Sequence, residues 1–440
     1  MIRTVAPVIK RQRLTFRNTS AAPVVIRKEE IVTIPAELAS ILSTGETFPI
    51  PGKFPESTQD LILYKRPSLI DQLVFLEERV ILSGKRGWII GPPGTGKSSA
   101  AFAFARQITA QGWVSSWVHC FNGNPMFCIR FEGDSWSSCP FSDFILPESP
   151  KSLVFIDGYR NGVADAFLDV ARLWWANNQD KYRLVIIGSM AARPDNKNDE
   201  VDDYEDIFFA DSWVEAEYLA ACKNTKLFEA VKHNLDAPLL CDANPDNPSL
   251  EDLVAAKFYY AGGSARYMFN RNTMKVKGLI DDIFNVISDL TSYLSAHIGD
   301  QRSSVRNRLL NSYRSTTGER HFCILSSYVA LKFASEGGPE LMQTIRRILR
   351  FHLNPAMDGS FFEHWFFSKL KFTGITATLR EGKEIKWDRQ LTPFESQVPA
   401  SSSMFIGASD IWVKPHGWSQ PGFDVVRVRP SDKVIEFVQV

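Results

Sequence analysis

Residues 91–98 read Gly91-Pro92-Pro93-Gly94-Thr95-Gly96-Lys97-Ser98, the G-x-x-x-x-G-K-[ST] spacing of a phosphate-binding loop. This octet constrains fold and chemistry together. Glycines at both ends let the backbone wrap tightly, so that successive N–H groups point inward at phosphate oxygens. Lys97 adds a mobile cation, the Ser98 hydroxyl can ligate Mg²⁺, and Ser99 carries the loop into the next element. Such a loop functions only between a strand and a helix, because the helix N-terminus must face the anion. The flanks comply: Trp88-Ile89-Ile90 is a short apolar run, and Ser98 to Gln111 reads as an Ala-rich helix.

Further apolar runs follow at Trp113–Cys120, Leu153–Asp157, Leu184–Gly188 and Ile207–Trp213. Most are unbroken rather than alternating, as in a parallel sheet covered on both faces. Helical spacing precedes them at Pro67 to Ser83 and separates them at Val163 to Asn177. The pattern predicts a doubly wound α/β domain over about 85–220. Met126–Phe131 and Ser135–Ile145 read as an inserted hairpin and loop, and the acidic stretch 195–206 as a solvated loop. The expected divisions are an extended lead-in over 1–60, a nucleotide-binding core over 61–220, a helical lid and helical domain over 221–350, and a last unit over 351–440. That last unit returns to short strand-like runs after one aromatic helix.

With 50 basic and 50 acidic residues the formal charge is zero, so no whole-protein field argues for a nucleic-acid or membrane partner. Nine basic residues face three acidic ones across 301–350, from Arg302 to Arg350. Such a cluster suits either a nucleic-acid footprint or solvated helix charge. Six cysteines without C-x-x-C pairs point to reduced thiols and an intracellular setting. There is no run of eighteen apolar residues, so no membrane partner is expected.

Leu153-Val154-Phe155-Ile156-Asp157 is an apolar strand ending in a carboxylate about sixty residues after the loop, and Asp157 is the expected Mg²⁺ carboxylate beside Ser98. Many nucleotide-driven machines carry a Glu next, as base for the attacking water; here Gly158 stands there. Either another carboxylate serves, or hydrolysis is slow and nucleotide acts as a switch. Ser189 ends a strand where a polar sensor of the γ-phosphate would lie, and Arg160 and Arg193 are near strand ends. Farther on, Gly262-Gly263-Ser264-Ala265-Arg266 joins two helices, with Ser264 as cap. Arg266 in a first helical turn opposes the helix dipole, so a bound phosphate or an interdomain carboxylate should reward it. Near the C-terminus, Asp424 in Pro421-Gly422-Phe423-Asp424 precedes the strand Val434–Val440, which contains Gln439. A carboxylate followed by an [E/Q]-x-K-type triplet is the skeleton of a Mg²⁺-dependent phosphodiesterase, with Glu363 as additional acidic ligand; a plain sheet terminus is the alternative. Val440 falls one position short of the triplet's third member.

Taken in order, IIGPPGTGKSSA, WVHCF, LVFIDG, RLVIIGS, GGSARYMFN, PGFD and EFVQV resemble the retrotransposon hot spot proteins and the related Crinkler effectors over roughly residues 60–440. The resemblance implies a P-loop ATPase of the additional-strand type using ATP and Mg²⁺, a helical lid carrying Arg266, and a truncated α+β restriction-endonuclease-like domain. In that domain Glu363, Asp424 and Gln439 match the catalytic pattern, with Asp424 a metal ligand. It further implies nucleotide-gated action on nucleic acid in the nucleus, or a non-enzymatic switch delivered to a host cell. An assembly of several chains is compatible with either. The chain departs from the pattern in lacking the LFLAK-type translocation motif of Crinklers and the glutamate after Asp157.

Overall fold

A computed structural model describes residues 47–50, 61–190, 192, 204–237, 248–287, 308–314, 318–333, 338, 365–378, 384–389, 411–413, 425–429, 432 and 434–438. After the β1 (Thr47–Ile50) and β2 (Leu61–Tyr64) pair, helix α1 (Pro67–Phe75) runs on into a π-helical segment over 76–82. The main sheet is built from β3 (Arg86–Ile90), β4 (Val114–Phe121), β5 (Asn124–Glu132), β6 (Ser135–Pro140), β7 (Ser152–Tyr159), β8 (Tyr182–Gly188) and β9 (Glu205–Phe209). Helix α2 (Lys97–Gln107) follows the loop, and α3 (Asp165–Asn177) connects β7 to β8.

The seven strands stand in the order β6-β5-β4-β7-β8-β3-β9. From β4 to β9 every neighbour is parallel, while β4-β5-β6 is an antiparallel meander. Successive side chains of a strand point to opposite faces, so a sheet covered twice needs apolar residues at every position. Ile89, Phe155, Val185 and Ile187 pack under α1 and α2, whereas Trp88, Ile90, Val154, Ile156, Leu184 and Ile186 pack with α3. Phe102 anchors α2: it is fully buried and meets Trp117 and Phe131 edge-on at 5.2 and 5.4 Å. Its burial contributes about 2 kcal/mol.

Two expectations change here. The segment 124–140 is no separate insertion, because β5 and β6 extend the main sheet through β4. The end of the acidic stretch belongs to β9, where buried Glu205 accepts from Arg86 Nε at 2.8 Å and Trp88 Nε1 at 3.1 Å. Residues 195–203 lie outside the described residues.

Helices α4 (Glu215–Cys222), α5 (Thr225–Val231), α6 (Leu250–Ala261), α7 (Ala265–Phe269) and α8 (Thr273–Val286) follow β9. Side chains of Asn224, Ser249 and Asn272 cap α5, α6 and α8. Ser264, expected as a cap, makes no capping bond to α7. Within the segment read as helical, β10 (Leu310–Arg314) and β11 (Arg320–Ile324) form an antiparallel hairpin that shares a core with α8 and with the helix over 327–333.

In the last unit a helix over 365–372, the hairpin of β12 (Ile375–Thr378) and β13 (Glu384–Trp387), and the meander of β14 (Ile411–Val413), β15 (Val425–Arg429) and β16 (Val434–Val438) are described. Phe366, Phe367, Leu370, Trp387 and Trp412 make its small core.

Candidate nucleotide site

The loop leaves the C-terminal end of β3 and delivers the chain into α2, so the helix N-terminus and the loop amides converge on one place. Lys97 is buried and lies across the loop: its Nζ donates to Gly91 O at 3.0 Å and Pro92 O at 2.7 Å, and stands 3.4 Å from Thr95 Oγ1. Burial first, then the Arg266 charge, push the Lys97 amine down to about 7, and Asp157 opposes the shift. A phosphate would restore the charge that two neutral carbonyls support only weakly.

Asp157 ends the apolar part of β7, and β8 separates that strand from β3. The sheet order therefore carries the carboxylate around to the loop, where Ser98 Oγ donates to Asp157 Oδ1 at 2.6 Å. A hydroxyl and a carboxylate oxygen this close, at the foot of a phosphate-binding loop, are the hard oxygen donors that Mg²⁺ takes together with phosphate oxygens and waters. The donor set fits that ion. Ser189 directly follows β8, between the loop strand and the Asp157 strand.

Gly158 has a physical reason. Its φ is +82°, the register of β7 against β8 shifts between Asp157 and Tyr159, and a Cβ at position 158 would run into the Cys120 carbonyl oxygen. The backbone excludes the expected glutamate. The next carboxylate in the chain, Asp165, is committed elsewhere, accepting from Tyr159 OH at 2.6 Å and Gly162 N at 2.9 Å.

The Gly262–Arg266 segment is seated directly on the loop. Ala265 N donates to Gly94 O at 2.9 Å, and Arg266 lines the cavity that the loop opens into. At Gly262 (φ +51°) a Cβ would overlap the Leu325 carbonyl, so the segment is wedged between the loop and the residues just after β11. The sequence reading took these glycines as helix terminators; the close backbone approach could not be read from spacing.

Arg66 was also missed. It is buried, donates to Thr95 O at 3.3 Å, Asp211 O at 3.0 Å and Ser212 O at 2.8 Å, and pairs with Glu217 at 3.0 Å. Its guanidinium also lies 4.7 Å from the Trp213 ring centre. Gln72 Nε2 holds Lys97 O at 2.9 Å. A basic residue just before the Pro at a helix start was the only local signal. Together β2, α1, the loop and α7 enclose a cavity of about 260 Å³, with Ile62, Tyr64, Leu227 and Phe269 forming an apolar flank.

Other expected residues fall differently. Glu363, Asp424, Gln439 and Arg193 lie outside the described residues. Val425 and Val438, next in sequence to Asp424 and Gln439, are partners across β15 and β16. In the basic segment, Arg320 binds Asp211 at 2.8 Å, Arg314 stands 3.9 Å from both Asp71 and Asp211, and Lys332 pairs with Asp281 at 3.0 Å. These three cations are matched by acids elsewhere in the chain, while Arg302, Arg306, Arg346, Arg347 and Arg350 lie outside the described residues.

No family model and no curated protein matches the chain. Among solved structures, it is similar to the Thermotoga maritima RuvB Holliday junction branch migration motor, at 12% identity over 73% of this chain and 92% of that one, with a TM-score of 0.28. Two variants of that motor match at 12% identity with TM-scores of 0.29 and 0.27, covering 73% and 72% of this chain and 92% and 91% of theirs. Likeness at this level carries no further conclusion. The sheet order, the loop between β3 and α2, and the Ser98–Asp157 pair make the fold that of a P-loop NTPase.

Proposed function

We propose that the chain binds ATP with Mg²⁺ at the Gly91–Ser98 loop and turns it over slowly, its nucleotide state governing what the C-terminal unit does to nucleic acid. The observation that carries this reading is the convergence on the loop of Lys97, the Ser98–Asp157 pair and the Arg266 segment. Lys97 neutralises β- and γ-phosphate charge, Ser98 and Asp157 hold the metal, and Arg266 reads the γ-phosphate from the lid. Slow turnover follows from the closed position at Gly158. The resemblance to the Crinkler and retrotransposon hot spot proteins supports a nuclease-like role for Glu363, Asp424 and Gln439, and a nuclear setting. The pairing of Val425 with Val438 is compatible with that role.

Equilibrium titration with a fluorescent ATP analogue tests the reading. Lys97→Ala should weaken binding about 10- to 100-fold, the worth of hydrogen bonds to a charged group, without lowering the melting temperature. Unchanged affinity in that variant refutes it. A longer chain continuing past Val440 extends the test: Mg²⁺-dependent DNA cleavage lost in Asp424→Ala supports the nuclease reading, and no cleavage favours a non-enzymatic switch.

A further inference from the structure

A carboxylate that is to hold a metal must itself be held in one orientation, and second partners of metal ligands do this. In this chain the opposite residue on the neighbouring strand is a histidine: β4 and β7 run parallel with His119 in register with Asp157. The pairing of β4 with β5 shifts between His119 and Cys120, the kind of irregularity that re-aims a side chain at a strand end. His119 Nδ1 lies 3.2 Å from Asp157 Oδ2, and Ser98 Oγ holds Oδ1, so the carboxylate is bound through both oxygens. The imidazole is itself fixed, stacked on the Phe127 ring with centres 5.0 Å apart and planes 26° from parallel. Phe127 sits on β5, which gives the meander a task beyond widening the sheet.

We propose that His119 is a positioning residue for ATP hydrolysis, fixing Asp157 through the hydrogen bond to Oδ2 in a Ser98–Asp157–His119 chain. The inference rests on the nucleotide reading above. With its proton on Nδ1, the imidazole donates to Oδ2 and leaves Oδ1 to face Ser98 and the metal side. Were Mg²⁺ bound, Ser98 could ligate it through an Oγ lone pair while its O–H still donates to Oδ1, and His119 on Oδ2 would be the second bond that keeps the carboxylate from rotating away. Partners of this kind around metal ligands are worth about 10- to 100-fold in activity or metal affinity. Phe127 keeps the ring in place.

The test compares His119→Ala with His119→Asn, whose amide can donate from nearly the position of Nδ1. Two quantities are measured on the full chain: kcat and KM for ATP, and the ratio of fluorescent-ATP affinity with and without Mg²⁺. In His119→Ala, kcat should fall about 10- to 100-fold, the Mg²⁺ enhancement of affinity should shrink, and Mg²⁺-free affinity should stay within about twofold. His119→Asn should recover most of both losses. An unchanged Mg²⁺ enhancement and kcat in His119→Ala overturns the inference. Equal impairment of two folded variants also overturns it, since the ring and not the hydrogen bond would then matter. Failure of the nucleotide reading looks different: wild-type protein and Lys97→Ala would then bind ATP equally.

Discussion

Position 158 shows how a single backbone angle can decide chemistry. The sequence alone left the missing glutamate open to two readings, another carboxylate or slow turnover. The structure narrows them: the φ of +82° and the Cys120 carbonyl exclude a side chain, and Asp165 is bound to Tyr159 and Gly162. Placing a glutamate there by Gly158→Glu should therefore harm the protein. Left-handed backbone on a non-glycine residue costs about 1–3 kcal/mol, before any shift of β4 away from the overlap. Denaturant unfolding should show a loss of at least about 2 kcal/mol, with Gly158→Ala showing most of it and neither variant hydrolysing ATP faster. A Gly158→Glu protein as stable as wild type and quicker in turnover would contradict this account. Lys97, Ser98 and Asp157 were legible because the loop motif and an apolar strand ending in Asp are local patterns. Arg66 and His119 were not, because their roles come from residues 29 and 38 positions away along the chain.

Legibility among the elements followed burial. Strands β3, β4, β7 and β8 were plain because both faces are covered and most of their buried positions are apolar. The hairpin β10–β11 was not, since Leu310–Arg314 and Arg320–Ile324 mix polar and apolar residues and lie among helical patterns. The helices after β9 have a buried polar element of their own. Lys257 on α6 is fully buried, donating to Arg271 O at 2.7 Å and Thr273 Oγ1 at 3.1 Å, with Asp236 at 3.6 Å. Burial pushes its amine down to about 8 from 10.5, against the pull of Asp236. The sign follows directly. Below pH 8 both folded and unfolded chains hold the proton, so the cost of burying the charge is fully present. Between about 8 and 10.5 the unfolded chain binds more protons, and stability rises with pH. The gain is on the order of 1–2 kcal/mol after allowance for solvent screening. Chemical denaturation at the two ends of that window should show it in wild type, and Lys257→Met should reduce the difference, leaving the part that buried Lys97 contributes. An equal pH response in both proteins would remove Lys257 as its source.

Across the whole molecule, the nucleotide loop is tied to the second half of the chain by short polar links around Asp211 and Ser212. Arg66 joins Thr95 O to the backbone of both residues, Arg320 binds the Asp211 carboxylate, and Ser212 N donates to Ser312 O at 2.7 Å. Whatever nucleotide does to the loop, the β10–β11 hairpin is one buried arginine away. The same links consume charge that the sequence made look available for nucleic acid. Of the basic residues described in 301–350, Arg314, Arg320 and Lys332 face acids, while exposed Arg308 has no acidic partner among the described residues. Phosphate contacts show themselves in the dependence of affinity on salt, because each one releases a bound counterion. If this face binds DNA, Arg308→Ala should lower the slope of log affinity against log salt by about 1. Arg320→Ala should leave the slope unchanged and lower the melting temperature, since it removes an internal partner of Asp211. Fluorescence anisotropy of a labelled duplex between roughly 50 and 200 mM salt measures both. An equal fall in slope for the two variants would mean that Arg320 leaves Asp211 to meet phosphate. The hairpin would then be a surface that opens towards nucleic acid rather than a fixed brace on the nucleotide domain.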